Sequence, residues 1–293
     1  MVWFLWAMCS AVLSAASAVL QKKILYRFHA LEFSFAVSLC IVGVTIFIPF
    51  SADVFSLPLS TLIIIIGKSI LGGSAFLLVM LSLQHNQISS ALPLLGVTPA
   101  AAAVVSFIIL EEGLLPSEWI GIGLMAAGAY LMEGNLSTHF FQPIGRMIRS
   151  KQYYFIYGAV GLFALSSVFD KLLVSGLQIE PLVVLFYQHI VYTMLFFVML
   201  SLRRIPVRSV LRRSTEQLPF IITVAVLTIA YRFTQLEATK LAPVALVLAV
   251  KRTSILFASF FGGKLFADER LGLKLFGAVL IVAAGFIILR NVG

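Results

Sequence analysis

Two adjacent cations, Lys251 and Arg252, stand near the middle of an apolar run at 242–262. A charge at the centre of a bilayer is costly, so an ionisable group there marks a site by default. Neither side chain easily snorkels to a headgroup zone from that depth. On a continuous helix the pair points about 100° apart, so at least one of them faces a polar interior. Ser254 then shares the Lys251 face, and Ser259 that of Arg252. Arginine offers a planar fork suited to carboxylate or phosphate, and lysine a point charge. The plainer alternative is an internal ion pair, or bonds to the carbonyls of a broken helix.

Other polar groups interrupt other apolar runs. Lys68 lies inside 61–83, with apolar sequence on both sides. Arg232 stands beside Tyr231, with Gln235 one turn on. It either binds a ligand or snorkels and pairs with Glu237. Gln188 and His189 are central in 181–201, flanked by Tyr187 and Tyr192. A lone histidine in such a place is more often a satisfied interhelical hydrogen bond than a proton relay. Asp170 and Lys171, with Ser166 and Ser167 a turn back, read as a helix-end ion pair or cap. Glu32 opens its run and suits the helix dipole. Glu133 and Glu180 read as interfacial. The expected binding set is therefore Lys251, Arg252, Lys68, Arg232, Gln188, His189, Tyr231 and Ser254. If a proton moves with a solute, His189, Asp170 and Glu32 are the candidates.

Catalytic, metal and cofactor chemistry are not expected. Cys9 and Cys40 sit in apolar runs as packing residues, with no metal or disulfide spacing. The chain has no phosphate-binding glycine loop, no His-x-x-x-His and no Ser/His/Asp pattern.

The elements that must position these groups follow from composition. The 293 residues are 61% hydrophobic and 11% charged. Soluble domains carry about 25% charged residues, so lipid is the fitting solvent. Apolar runs fall at 2–20, 31–50, 61–83, 89–110, 117–134, 153–173, 181–201, 218–236, 242–262 and 271–290. These ten runs predict an all-α integral membrane protein. The first is kept as a helix, not a cleaved leader. The linker 135–152 carries Arg146, Arg149 and Lys151 and reads as a segment lying on the membrane surface. It also holds a glycosylation sequon at Asn135.

An internal repeat organises the runs. Glu112 and Gly128 map onto Glu269 and Gly285 at one offset of 157 residues. Each half then holds five helices: 1–134 and 153–293, joined by 135–152. Five is odd, so equivalent helices cross the membrane in opposite directions. Such inverted repeats place a site near the midplane. Small residues at Gly121, Gly123, Ala126, Ala127 and Gly128, and at Ala278, Ala283, Ala284 and Gly285, suit close helix packing or a homodimer face.

The net charge of +9 reads as topology, and nucleic acid is not expected as a partner. Thirteen bases fall in alternate loops: Lys22, Lys23, Arg27, Arg146, Arg149, Lys151, Arg203, Arg204, Arg208, Arg212, Arg213, Lys264 and Arg270. The opposite side holds three, Lys171, Lys240 and Arg290, together with the acids Asp53, Glu111, Glu112 and Glu118. The excess predicts a cytoplasmic 203–213 loop and both termini outside a cell membrane.

The block Pro99–Glu112, an apolar small-residue helix running into an acidic loop, recurs as Lys251–Glu269 before a second Gly/Ala helix. With the two five-helix halves, this resembles the ten-helix EamA-type members of the drug/metabolite transporter superfamily. The resemblance implies secondary transport of a small solute without an ATPase. It also implies cytoplasmic termini, against the charge count. The Lys251–Arg252 pair is further similar to one in triose-phosphate-type translocators, which holds an anionic phosphate. A third basic residue of those proteins falls near Leu95 here, and Lys68 is the neighbouring charge that stands in for it.

Three readings remain open. A carrier for a small organic anion fits the central cations. An exporter of amino acids or amphipathic drugs requires acids or aromatics lining a cavity. A lipid-headgroup flippase or a non-transporting scaffold is the third.

Overall fold

The computed structural model describes residues 2–47, 57–85, 95–113, 115–133 and 151–265, with positions 276, 279, 280, 283 and 284. Its helices are α1 (Val2–Leu25), α2 (Ala30–Thr45), α3 (Leu59–His85), α4 (Thr98–Leu110) and α5 (Pro116–Glu133) in the first half. The second half has α6 (Lys151–Lys171), α7 (Pro181–Leu202), α8 (Val207–Glu216), α9 (Leu218–Leu241), α10 (Val244–Lys251) and α11 (Ser254–Leu265). No strand occurs among the described residues. The protein is an all-α integral membrane protein. Five of its helices, α1, α3, α6, α7 and α9, are each long and apolar enough to cross a bilayer. Only helices satisfy their own backbone in lipid, which is why this composition folds so. The outer faces carry large apolar side chains such as Leu5, Ile108 and Met194, while Ser34, Lys68, Asp170 and Gln188 are buried inside.

Local signals set the helix ends. The His29 side chain accepts from Leu31 N and caps α2. Proline stands in the first turn of α4, α7 and α9, where its missing N–H costs nothing. Glu111 ends α4 in the left-handed region at φ 56°.

Four expectations need correcting. The sixth helix does not stop at 173: a wider turn carries it through Leu172–Gly176. Asp170 therefore lies in the body of the helix, not at a capping position. The ninth run is not one helix. It breaks between Lys251 and Ser254, where Arg252 N, Thr253 N and Ile255 N all bond three residues back. That break removes the face-sharing argument for Ser254 and Ser259. Residues 203–213 are not a plain loop, because α8 occupies most of them. Val210 and Ser214 are turned inward, and Arg208, Arg212 and Arg213 outward, with Arg213 Nη2 2.7 Å from Glu32 Oε1. Lys171 and Lys240 are not free loop bases. Lys171 Nζ donates to Thr239 O and Ala242 O at 2.9 Å each, and Lys240 lies 3.4 Å from Glu237.

The surface segment and sequon expected at 135–152 fall almost wholly outside the described residues, as does most of 271–290. Ala284 is described and packs with Trp3 and Ala7 of α1.

At the offset of 157 the bounds of α3 fall close to those of α9, whereas α1 shifts to 159–182, past Lys151–Lys171 of α6. Shifted by it, α3 covers 216–242, against Leu218–Leu241 for α9. The short 3₁₀ turn Leu95–Val97 shifts to 252–254, onto the break after α10. Packing follows the same exchange. The pairs α1–α9 and α3–α6 are both extensive, and each swaps into the other when the halves are exchanged. The pair α2–α7 swaps into itself.

Candidate functional site

The cavity lies where α2, α6, α7, α9 and α10 converge, and it encloses about 90 Å³. By the measure of roughly 10–15 Å³ needed per water, it has room for several waters or a small solute. Val37, Ile41, Phe76, Phe163 and Leu248 form apolar walls. Asp170, Gln188, His189, Arg232, Lys251 and Arg252 supply the polar lining.

One network holds most of that lining in place. Asp170 takes Lys68 Nζ on Oδ1 at 2.5 Å and Arg232 Nη2 on Oδ2 at 2.8 Å. Gln188 Oε1 accepts from the same two cations at 2.6 and 3.0 Å. Arg232 Nη1 also donates to Gln235 Oε1 at 3.0 Å, and Lys251 Nζ to the same oxygen at 2.5 Å. The Lys251 ammonium lies 4.7 Å from the Tyr231 ring centroid, within cation–π range. So α3, α6, α7, α9 and α10 are tied through six polar side chains.

Close approach of α3 makes the network reachable. A Cβ on Gly72 would overlap the Tyr192 hydroxyl and lie 3.0 Å from Ser166 Oγ. Gly72 stands one turn from Lys68 on the same face. Its lack of a side chain lets α3 settle against α6 and α7, and Ser166 Oγ donates to Lys68 O at 3.1 Å.

Arg252 is the exception. It borders the cavity, yet its Nε is buried without a hydrogen-bond partner. Among the described residues no carboxylate pairs with it or with Lys251. Thr98 Oγ1 and both ring nitrogens of His189 are likewise buried without partners, and both residues line the cavity.

The two ends of the cavity differ. A second space of about 110 Å³ shares Phe76, Phe163, Tyr231, Lys251 and Arg252 with the first. It continues along Ser14–Gln21 of α1 to Met80, Leu95 and Ala258, toward the side that carries α8. At the other end Glu112 bridges from α4 to α6 and the start of α10. Its Oε2 accepts from Ser106 Oγ at 2.6 Å and from Val244 N, at the start of α10, at 3.4 Å. Its Oε1 is 3.8 Å from Lys171 Nζ.

Seven of the eight expected binding residues touch these spaces: Lys251, Arg252, Arg232, Gln188, His189 and Tyr231 in the main cavity, and Ser254 in the second. Lys68 does not line either one. It is 1% exposed and paired with Asp170 behind the lining, so it does not face the cavity as a spare charge. Arg232 pairs with Asp170, not with Glu237 and not by snorkelling. His189 is not satisfied between helices. Asp170 proves to be the hub of the network and not a cap. Glu32 pairs with Arg213 and lies off the cavity. Thr98 and Gly72 were not singled out from sequence, because a threonine and a glycine in apolar runs carry little signal alone, and Gln235 was noted only as a neighbour of Arg232.

The EamA-like transporter family model matches residues 1–133. No curated protein matches the chain. A solved structure described as "Crystal structure of protein" aligns over 95% of this chain and 96% of its own, at TM-score 0.63 and 15% identity. That likeness concerns the fold. The family match carries the resemblance to the drug/metabolite transporter superfamily over residues 1–133, the first part of the chain.

Proposed function

We propose that the protein is a secondary carrier that moves a small organic anion by alternating access. The observation that carries this reading is Arg252: a guanidinium at a helix break, bordering a cavity, with Nε buried and no carboxylate partner among the described residues. Arg232 and Lys251 border the same space, and its one carboxylate among the described residues, Asp170, is shared by Arg232 and by Lys68 behind it. An arriving carboxylate or phosphate completes the charge balance and supplies acceptors for Arg252 and Thr98. Broken helices at midplane serve such contacts in carriers built of inverted repeats. Export of cationic or zwitterionic solutes is less well supported, because Asp170 is already shared by Lys68 and Arg232.

In this reading the two halves, 1–134 and 153–293, rock about the cavity. The open end faces the side of α8, which the positive-inside rule places in the cytoplasm. Both termini then lie outside, in the cell membrane.

Counterflow uptake into proteoliposomes tests the function. The panel holds phosphorylated, carboxylated, zwitterionic and cationic solutes, with wild type and Arg252→Ala. Anion uptake that disappears in a folded Arg252→Ala supports the reading. Uptake confined to cations or zwitterions and indifferent to Arg252 overturns it. Cysteine labelling checks orientation: external reactivity of a cysteine at Ser209 reverses it.

A further inference from the structure

Among the described residues, His189 is a buried ionisable side chain of the cavity that neither the ion-pair network nor the anion contact uses. It is 3% exposed, borders the cavity, and has both ring nitrogens without a hydrogen-bond partner among the described residues. Its surroundings explain why the fold leaves it so. The neighbouring Gln188 oxygen is taken by Lys68 and Arg232. Tyr192 meets the imidazole through a tilted ring contact at 5.1 Å, which satisfies neither nitrogen. Thr193 Oγ1 donates to the backbone oxygen of His189, not to its ring.

A buried polar group without a partner destabilises a fold, and an aromatic or leucine at 189 would carry no such cost. Native structures rarely leave such a group without a reason. The cavity supplies one. In its neutral form an imidazole presents one N–H donor and one bare nitrogen acceptor. The two nitrogens point away from each other, so one hydroxyl meets one of them: it can give its proton to the bare nitrogen, which an ionised carboxylate cannot do. A carboxylate can meet only the donor.

We propose that His189 reads a hydroxyl on the same small anion whose charge rests on Arg252. The substrate class is then a short hydroxy-carboxylate or hydroxylated phosphate ester. Its carbon skeleton lies against Ile41, Phe76, Phe163 and Leu248. This rests on the anion reading above and narrows it.

The test uses matched pairs that differ by hydroxyl groups: lactate against propionate, 3-hydroxybutyrate against butyrate, and glycerol phosphate against propyl phosphate. Counterflow is measured for wild type, His189→Phe, His189→Leu, His189→Gln and Arg252→Ala, each checked for monodispersity. Wild type is expected to favour one hydroxylated member by at least about tenfold, since a site built around a hydrogen bond rejects the analogue lacking it. In His189→Phe or His189→Leu the preference falls to within about twofold, mainly by slower uptake of the hydroxylated anion. His189→Gln keeps a donor and an acceptor and retains most of it. Arg252→Ala loses both members of each pair. Full discrimination in the apolar variants overturns the role of His189 and leaves the anion reading standing. Transport of no anion by wild type overturns both.

Discussion

The short turn before α4 and the break after α10 stand at equivalent places and carry different side chains. The turn is Leu95-Gly96-Val97, and the offset of 157 places it on Arg252-Thr253-Ser254. Packing partners repeat between the halves, but the ionisable lining of the cavity does not. Asp170, His189, Arg232, Lys251 and Arg252 all belong to the second half, and Lys68 is the ionic contribution of the first. The repeat thus supplies a frame with a cavity at its centre, and substitutions in one copy alone furnish it. A symmetric frame with an asymmetric lining lets both halves move while one of them holds most of the ligand.

The largest expected effect lies where the halves are joined by charge. Asp170→Asn leaves Lys68 and Arg232 as buried cations sharing no carboxylate. Breaking a buried pair from one side costs about 3–5 kcal/mol. The thermal midpoint in detergent should fall by many degrees, and an unchanged midpoint shows that the junction contributes little. Next comes the contrast between the two turns. Arg252→Ala should lower anion uptake at least about thirtyfold, since truncating one partner of a desolvated charged contact costs 2–5 kcal/mol. Leu95→Ala, at the equivalent position, should leave uptake within about threefold. Similar losses from both would mean that the two positions act through the backbone and that the cation is incidental.

A smaller effect is expected at Gly72. A methyl group there meets Tyr192 and Ser166, so α3 must shift outward or the tyrosine must move. Overpacking of this kind costs about 1–3 kcal/mol. Gly72→Ala should lower the thermal midpoint by less than Asp170→Asn does. The second-half equivalent by the same offset is Ile229, which already carries a side chain. A silent Gly72→Ala would show that the close approach of α3 is not required.

Much of this frame was legible in the residues. Apolar runs of about 20 residues have few alternatives to spanning helices, and Glu112 with Glu269 set the repeat. The basic pair was legible because charge is rare in such runs. The partners were not. Asp170 read as a cap because a run of Leu172-Leu173-Val174-Ser175-Gly176 also looks like a helix end, and nothing local announces the wider turn that extends it. The ring of Lys68, Asp170, Gln188 and Arg232 joins four helices, so it exists only after packing. The break at Arg252 was invisible because Thr253 and Ser254 are common inside membrane helices and no proline marks it.

The smallest predicted effect concerns the closed end of the cavity. Glu112 belongs to the first half and reaches Lys171 and the start of α10 in the second, the reverse of the direction in which most of the site chemistry lies. Glu112→Gln keeps an oxygen for Val244 N and Ser106 Oγ but loses the charge opposite Lys171. That pair is partly exposed and 3.8 Å long, so its contribution is of order 0.2–1 kcal/mol. The population opened at this end should rise by up to about fivefold. Modification of a cysteine at Leu248, in a background lacking Cys9 and Cys40, reads that population from the side opposite α8. Faster labelling in Glu112→Gln identifies the contact as a latch that the first half holds over a site furnished by the second. An unchanged rate assigns closure to the apolar packing of α4 against α6 and α10, and the latch becomes a helix-end contact only.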